Sequence, residues 1–249
     1  MDFAKDRLEW LEFDLLKPYP WIAQAVFLKH GGTSAGPFAS LNLSDTVGDH
    51  PDSLKVNREA VKKSLGLPQI VYANQEHKAN VVEVTSAMTK IPPADALFTK
   101  VKNLGIAITH ADCQAAIFYD PVNEVIAVAH AGYKGLASNI YKNTIDALKK
   151  GAKTNPQDLI VCISPSLGPD HAEFINYKTE LPESFWEFQV KPKYFDLWTI
   201  GQNQLMDEGV QEKNIEIVKT CTFCKSKDYY SFRREKKTGR HATIVAMKT

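Results

Sequence analysis

The chain has 249 residues, of which 44% are hydrophobic, and its 30 basic and 29 acidic side chains leave a formal net charge of +1. A nearly neutral chain lacks the basic face on which a polynucleotide would bind. No apolar run approaches the roughly 18 residues of a membrane span, and the acidic N-terminus lacks the apolar core of a secretion signal. We therefore expect a single cytoplasmic domain over residues 1–249, monomeric, with no polynucleotide and no membrane partner.

The early part of the chain predicts a loop, one helix and two strands. Turn-forming residues fill the segment 40–53. A helix begins at Pro51, and apolar residues recur at helical spacing until Gly66. Two short β-rich runs follow, over 70–77 and 80–84.

The middle of the chain is its most apolar part. Three short apolar runs are typical of strands buried on both faces. An amphipathic helix is predicted after them over 135–151, and Gly151 is expected to stop it. The three apolar runs cover residues 104–112, 115–120 and 124–131.

The last third mixes both types of element. It predicts a helix over 196–210 and strands over 159–166, 215–219 and 241–247. Because helices and strands do not alternate strictly, the predicted fold class is α+β (mixed α/β): a layered sandwich with a central mixed β-sheet flanked by helices.

Three metal-binding side chains stand at or near the ends of apolar strands: His77, Cys113 and His130. Two imidazoles and one thiolate suit zinc and leave a fourth tetrahedral position open, as in catalytic sites. Their separations match no local zinc motif. The alternative is that Cys113 is a small buried apolar side chain and that each histidine forms a hydrogen bond at a strand end.

Cys221 and Cys224 form a CxxC pair. A zinc ribbon needs a second CxxC, and a thioredoxin-type motif needs a helix that the polar residues after Cys224 do not predict. Two packed thiols are the alternative to a redox or metal-binding role.

Several stretches occur in one order over nearly the whole chain, and they include the elements ADC, HAG and TGR. Together they resemble the YfiH-type laccase-domain family, once labelled multicopper polyphenol oxidases. The stretches are HGGTSAGPFASLNLSDTVGDHPDSLKVNRE (30–59), NQEH (74–77), ADALFT (94–99), THADCQAAIFYDP (109–121), AVAHAGYKGLASNIYKNTI (127–145), ISPSLGP (163–169), DLWTIGQNQL (196–205) and CTFCKSKDYYSFRREKKTGRHA (221–242).

The resemblance implies one zinc ion held by His77, Cys113 and His130, and a fold that is compared with cysteine hydrolases. It also implies purine nucleoside phosphorylase activity on adenosine, inosine or methylthioadenosine, with adenosine deamination as a related reaction. A multicopper laccase needs about ten histidines for its coppers. The chain has seven, so we reject that function.

In the implied phosphorolysis, phosphate attacks C1′ of the ribose while the base leaves. Arg58 and Lys134 are expected to hold the phosphate, and Asn42 to orient sugar or phosphate oxygens. Lys134 stands where the family more commonly has arginine, which changes the geometry available to an anion. His110 and Arg240 are further candidate substrate contacts.

Asp112 has two interpretations. It is a proton carrier, a role for which Glu76 is the other candidate, or it accepts an N–H from a zinc-binding histidine. Deamination would direct an activated water to C6 of adenine.

Two other functions stay open. Some bacterial members are implicated in editing UDP-muramyl peptidoglycan precursors, where zinc-activated water or Cys113 as nucleophile, with His130 as base, would attack an amide. A non-enzymatic partner-binding protein would instead present an exposed apolar patch.

Overall fold

In the computed structural model, which describes residues 7–86, 88 and 90–249, two β-sheets stack face to face and helices cover both outer faces. The predicted α+β class and layered sandwich are therefore confirmed, with two mixed sheets where one central sheet was expected. None of the helices in the described part of the chain has the length and apolarity that crossing a bilayer requires.

The first sheet has five strands in the spatial order β1, β2, β13, β6 and β3. Only the outer pair of β3 and β6 is parallel, and the other pairs are antiparallel. The strands are β1 (Trp10–Leu11), β2 (Ile22–Phe27), β3 (Gln69–Tyr72), β6 (Leu104–His110) and β13 (His241–Met247).

The second sheet has six strands in the order β12, β9, β7, β8, β5 and β4, and a separate hairpin joins β10 to β11. These strands are β4 (Val81–Glu83), β5 (Ala96–Thr99), β7 (Gln114–Asp120), β8 (Val125–Ala131), β9 (Ile160–Ile163), β10 (Gln189–Lys191), β11 (Tyr194–Phe195) and β12 (Ile215–Ile217).

The α-helices lie on the outside of the two sheets or in the connections between strands. Val61 of α1 packs on the outer face of the first sheet, and Ile145 of α3 and Leu205 of α5 pack on that of the second. The helices are α1 (Pro51–Ser64), α2 (Tyr133–Ala137), α3 (Ile140–Ala152), α4 (Tyr177–Glu180), α5 (Leu197–Asp207) and α6 (Phe232–Glu235).

Strand β7 shows why the central runs are continuously apolar. Ala115, Ile117 and Tyr119 point into the core between the two sheets. Ala116 and Phe118 point the other way, into the core beneath the helices. Side chains alternate between the faces of a strand, so a strand covered on both sides needs apolar residues at every position.

The helix predicted over 135–151 is interrupted. Asn139 adopts a left-handed conformation with φ of 49°, and its side chain accepts a hydrogen bond from the amide of Lys142 at 3.1 Å, which starts α3 as a new helix. Gly151 lies inside α3 and does not stop it; a Cβ there would approach the ring of Phe98 to 2.8 Å. Lys153, with φ of 59°, provides the left-handed C-terminal residue.

The other predicted elements are present with boundaries shifted by a few residues. Strands β2 and β5 were not predicted. Strand β2 belongs to the first sheet and β5 to the second. Strand β5 matters for the site, because the residue before it contacts two of the candidate metal ligands.

Candidate metal centre

The structure brings the three predicted ligands together. His77 follows β3, Cys113 lies in the turn between β6 and β7, and His130 is near the end of β8. One ligand atom of each lies within 4.8 Å of the others. The two imidazole rings meet edge to face with centroids 4.7 Å apart. His130 is buried, whereas His77 is exposed to solvent.

Asp95 positions both histidines. Its Oδ1 accepts a hydrogen bond from Nδ1 of His130 and another from the backbone amide of His77, each at 2.9 Å. Its Oδ2 accepts the amides of Glu76 at 3.2 Å and Lys78 at 2.8 Å. With Nδ1 of His130 occupied, Nε2 remains for a metal ion, which is the usual arrangement of a carboxylate behind a metal-binding histidine.

Asp95 carries no role in the functions predicted from the sequence. The only signal was a lone carboxylate between Ala94 and Ala96, at the start of an apolar stretch. Buried carboxylates require several hydrogen bonds. Asp95 accepts three of them from consecutive backbone amides of the loop that contains His77.

Asp112 makes different contacts from those predicted. Thr222 Oγ1 donates to its Oδ1 at 2.7 Å, and the amide of Arg233 donates to its Oδ2 at 2.6 Å. The hydrogen bond to a ligand histidine, which one interpretation gave to Asp112, is made by Asp95. Asp112 has a left-handed φ of 85° immediately before Cys113, so its side-chain contacts hold the turn that presents the thiol.

Gly132 leaves room for the sulfur. A Cβ on this residue would lie 2.9 Å from Sγ of Cys113 and 3.5 Å from the ring of His77. The glycine of the HAG element is therefore a steric requirement of the site. Two imidazole nitrogens and one thiolate, oriented by a carboxylate and cradled by a glycine, fit the donor set of zinc.

The thiol of the site is ionised at neutral pH. Burial tends to raise the pKa of Cys113, but the adjacent His130 and His77 outweigh burial and lower the pKa to about 6. Burial tends to lower the pKa of His130, whereas Cys113 and Asp95 raise it to about 9. Without a metal the pair is thus a thiolate beside an imidazolium. The thiolate is the form that binds metals, and His130 would release its Nε2 proton when a metal ion binds.

Two cavities meet at this centre. The first, of about 620 Å³, is lined by Arg58, His110 and Arg240 among other residues. The second, of about 600 Å³, is lined by Tyr133 and by apolar side chains that include Leu167 and Phe174. Both volumes are in the range of small-molecule sites. The side chains that line both cavities are His77, Ala111, Cys113 and Phe232.

Two arginines bring positive charge to the first cavity, and the carboxylate of Asp45, 3.5 Å from Nη2 of Arg58, offsets part of it. Arg58 donates Nε to the carbonyl of Leu43 at 3.0 Å, and its guanidinium stacks over the ring of Tyr72 at 4.0 Å. Arg240 donates Nη1 to the carbonyls of Thr238 at 2.8 Å and Gly239 at 3.0 Å.

His110 lies deeper in the first cavity. Its Nε2 is 2.8 Å from Oγ1 of Thr243, and its ring meets that of His241 at a centroid distance of 4.4 Å. Burial lowers the pKa of His110 well below its usual range and that of His241 to about 3. Both rings are therefore neutral, and Nδ1 of His110 has no hydrogen-bond partner among the described residues.

Two predicted substrate contacts lie outside the walls of both cavities. Asn42 is buried and uses its amide on Ser44 and Asp49, while its Oδ1 accepts the backbone amide of Arg240 at 2.9 Å. Lys134 is exposed on α2, with Nζ 5.9 Å from the centroid of the Tyr133 ring. Asn42 thus holds the backbone of Arg240.

Glu76, the alternative proton carrier, is also exposed. Its carboxylate pairs with Nζ of Lys78 at 2.8 Å, and it lines neither cavity.

Comparison with known proteins finds one family that matches nearly the whole chain. Residues 23–248 match the family described as multi-copper polyphenol oxidoreductase laccase. The chain is 29% identical over 228 residues to a purine nucleoside phosphorylase of Haemophilus influenzae, covering 87% of this chain and 91% of that protein. It is 30% identical over 243 residues to the purine nucleoside phosphorylase YlmD of Bacillus subtilis, covering 88% and 86%.

Two crystal structures show the same fold. YlmD from Geobacillus stearothermophilus matches with a TM-score of 0.85 at 28% identity, covering 94% of each chain. Protein NMB0706 of Neisseria meningitidis matches with a TM-score of 0.85 at 29% identity, covering 97% of this chain and 99% of that one. The resemblance noted from the sequence motifs is confirmed.

Proposed function

Because the chain belongs to the multi-copper polyphenol oxidoreductase laccase family and is similar to purine nucleoside phosphorylases YlmD and YfiH, we propose that it is a zinc-dependent purine nucleoside phosphorylase. The observation that carries the proposal is the position of His77, Cys113 and His130 where a basic cavity meets an apolar one. A reaction between phosphate and a nucleoside needs a basic pocket for the phosphate on one side of the reacting carbon and an apolar pocket for the base on the other.

His77, Cys113 and His130 would hold one zinc ion. When bound, the ion supplies positive charge that polarises an oxygen of the substrate. Asp95 keeps Nε2 of His130 directed at the ligand position, and Gly132 keeps the sulfur of Cys113 unobstructed.

The phosphate belongs in the first cavity. The guanidinium of Arg240 lines this cavity. Among the described residues only its Nη1 forms hydrogen bonds, to the carbonyls of Thr238 and Gly239. Its remaining N–H groups can form charge-assisted hydrogen bonds with an anion. Arg58 lies on the same wall with Nη2 3.5 Å from the carboxylate of Asp45, and the buried, neutral ring of His110 forms the inner end of the cavity.

The purine belongs in the second cavity. Phe174 and Tyr133 form an edge-to-face pair with centroids 5.2 Å apart on its wall, and Leu167 adds apolar surface. Flat aromatic walls suit a purine base. C1′ of the ribose then lies between the cavities, where an oxygen of phosphate forms the new bond to C1′ as the C1′–N9 bond breaks. The electron pair of that bond leaves with the purine, which takes up a proton.

A substrate panel tests the proposal. The chain is incubated with adenosine, inosine or methylthioadenosine, with and without phosphate, and the free base, the sugar phosphate and ammonia are measured. We expect base release that depends on phosphate and on zinc; ammonia from adenosine would add the deaminase reaction. No base from any of the three nucleosides would overturn the proposal.

Cys113→Ala is the matching variant. We expect it to lose both zinc and phosphorolysis, whereas Cys162→Ala, in the core between the sheets, keeps both. Full phosphorolysis by Cys113→Ala without bound zinc would contradict a role for the metal.

A cysteine-dependent amide hydrolase is the second candidate. Two observations favour it. Cys113 lies beside His130, which in turn is hydrogen-bonded to Asp95. The adjacent histidines also lower the pKa of Cys113 to about 6 despite burial. That arrangement matches an activated thiol oriented by a histidine and a carboxylate. A thiolate bound to zinc is not free to attack, so the two functions exclude each other at this residue.

Metal analysis separates the two candidates. Protein purified without added metal is assayed for zinc and for release of serine from UDP-muramyl-serine. Amide cleavage by protein without stoichiometric zinc supports the hydrolase, whereas one zinc per centre and no amide cleavage support the phosphorylase.

A further inference from the structure

A second group of metal-binding side chains lies apart from the centre described above. It consists of His171, Cys221 and Cys224, with one ligand atom of each within 4.8 Å of the others. Nδ1 of His171 is 3.7 Å from Sγ of Cys221 and 3.6 Å from Sγ of Cys224. None of the three lines either cavity.

The surrounding backbone holds Cys221 in place. The amide of Gly168 donates a hydrogen bond to Sγ of Cys221 at 3.2 Å. A Cβ on Gly168 would lie 3.2 Å from the same sulfur, so this position favours glycine. The amide of Lys225 donates to the carbonyl of Cys221 at 3.1 Å, which closes the CxxC segment into a turn with both sulfurs on one side.

His171 is fixed by its own contacts. Its ring stacks on that of Phe223 at a centroid distance of 4.0 Å and an interplanar angle of 19°. Its amide donates to the carbonyl of Gly168 at 3.0 Å. The ring stands beside the CxxC turn with Nδ1 directed between the two sulfurs.

We propose that His171, Cys221 and Cys224 form a second metal site, selective for zinc and similar thiophilic ions. Two thiolates and one imidazole are three of the four ligands of a tetrahedral zinc site. The single CxxC lacks the second pair of a zinc ribbon, and His171 from a neighbouring loop supplies the third ligand instead. Cys224 is exposed, so solvent has access to the fourth position. Binding releases the two thiol protons to solvent.

A metal ion at this site would join two loops. One follows β9 and contains Gly168 and His171; the other follows β12 and contains the CxxC. The loops already pair through the amide of Thr222 and the carbonyl of Ser166 at 3.0 Å. The ion would add a cross-link between chain segments that are far apart in sequence, which stabilises the folded state by its binding free energy.

The cross-link lies one side chain away from the first centre. Thr222, between the two cysteines, donates its Oγ1 to Asp112, the residue before Cys113. Arg234 holds the same segment by donating Nη1 to the carbonyls of Thr222 and Phe223 at 2.9 and 2.6 Å. The second site therefore adjoins the turn that presents Cys113 through the Thr222–Asp112 hydrogen bond.

Metal stoichiometry tests the proposal. The full chain is purified under a metal-free reductant, loaded with zinc, desalted and analysed for metal and protein. We expect two zinc ions per chain, one in Cys113→Ala, and one in the double variant Cys221→Ser/Cys224→Ser. Cys162→Ala, a buried cysteine outside both groups, is the control and should keep two.

Cobalt titration gives a second measurement that does not depend on removing the CxxC. Cys113→Ala contains no thiol at the first centre, so a sulfur-to-cobalt charge-transfer band in this variant comes from Cys221 and Cys224. Zinc should abolish the band. Absence of the band, or equal zinc content in the wild type and the CxxC double variant, would overturn the proposal.

A Cys221–Cys224 disulfide that persists under reductant, detected by mass spectrometry, would also overturn it. The outcomes are separable from those for the proposed function. If the wild type shows no phosphorolysis, the proposed function fails but the second zinc should still be found. If the second zinc is not found, this proposal fails but the zinc of His77, Cys113 and His130 should still be found.

Discussion

Asp95 and His130 share a 2.9 Å hydrogen bond between Oδ1 and Nδ1, and the same oxygen also accepts the amide of His77. The positions of both candidate histidine ligands therefore depend on one carboxylate oxygen. Burial tends to raise the pKa of Asp95, but the hydrogen bond from His130 and those from backbone amides lower it overall. Asp95 is thus an anion across the neutral pH range, and its charge supports the imidazolium of His130 when no metal is bound.

Asp95→Asn should weaken zinc binding by about 10- to 100-fold, the usual effect of removing a carboxylate behind a metal-binding histidine. Chelator competition measures the dissociation constant. Asp120→Asn is the control: Asp120 is also buried and accepts backbone amides, but in the turn between β7 and β8. Equal affinities of wild type and Asp95→Asn would show that the carboxylate does not orient the ligands.

Gly132→Ala should reduce zinc content with little change in the fold. The added Cβ would lie 2.9 Å from Sγ of Cys113, closer than packed atoms allow, so the sulfur must move. Zinc per chain and the melting temperature of the metal-free protein are measured together. Normal zinc content in this variant would show that the sulfur has room to shift without losing the metal.

His77, Cys113 and His130 could be singled out from the sequence because few side chains bind zinc and these lie at or near apolar strands, but their spacing left a structural role open, and it was the family resemblance that favoured a metal site. Asp95 could not be singled out, because a lone acidic residue before a strand resembles a turn residue until its hydrogen bonds are known. Asn42 and Lys134 were predicted from their positions in family motifs. Such positions identify a residue but not the direction of its side chain, and neither side chain reaches a cavity wall.

The apolar runs predicted burial of the central strands but not their partners. A run such as β7 requires cover on both faces, and the sequence does not show whether a helix or another sheet supplies it. The single predicted sheet is for this reason two sheets in the structure. Similarly, the helix predicted over 135–151 had the right apolar spacing, and only the left-handed φ of Asn139 divides it.

The metal-free chain should react fastest at Cys113 with iodoacetamide, with a midpoint near pH 6. Its pKa is lowered to about 6 by His130 and His77 against the effect of burial, and only the thiolate reacts. Cys224 serves as the internal comparison because burial and the Cys221 thiol raise its pKa. Mass spectrometry of each peptide gives the rates. A midpoint for Cys113 near the ordinary thiol value would contradict the ion pair.

The same pair should contribute little pH dependence to unfolding between about pH 6.5 and 9. The folded pKa of His130, about 9, is above its ordinary 6.5, so its stabilisation is lost as the pH rises through 9. The folded pKa of Cys113, about 6, is below its ordinary 9.0, so its stabilisation is lost as the pH falls through 6. Between these limits the folded and unfolded pairs each bind one proton, and stability changes with pH only when those numbers differ.

Denaturant unfolding of the metal-free wild type and of Cys113→Ala, from pH 6.5 to 9, measures this effect. In the variant no thiol proton compensates the protonation change of His130 on unfolding, so its stability should change with pH relative to that of the wild type. Parallel pH profiles would contradict the coupling.

Arg240→Ala should lower kcat/KM for phosphate by about 10- to 100-fold, corresponding to the loss of a hydrogen bond to a charged group worth about 1.5–3 kcal/mol. The effect should appear in KM for phosphate more than in KM for the nucleoside. Lys134→Ala is the comparison, since its exposed ammonium lies outside both cavity walls. A larger effect from Lys134→Ala than from Arg240→Ala would assign phosphate binding to Lys134, as the sequence predicts.

Asp112→Asn should reduce kcat a few-fold and leave the pH profile of kcat unchanged. The asparagine oxygen can still accept from Thr222, but its amide nitrogen cannot accept the N–H of Arg233, so one of the two contacts that hold the turn before Cys113 is lost. Thr222→Val removes the other contact and should give a similar decrease. A general acid or base typically contributes about 10²- to 10⁴-fold. A loss of that size in Asp112→Asn alone, with one limb of the pH profile missing, would assign proton transfer to Asp112 instead of positioning.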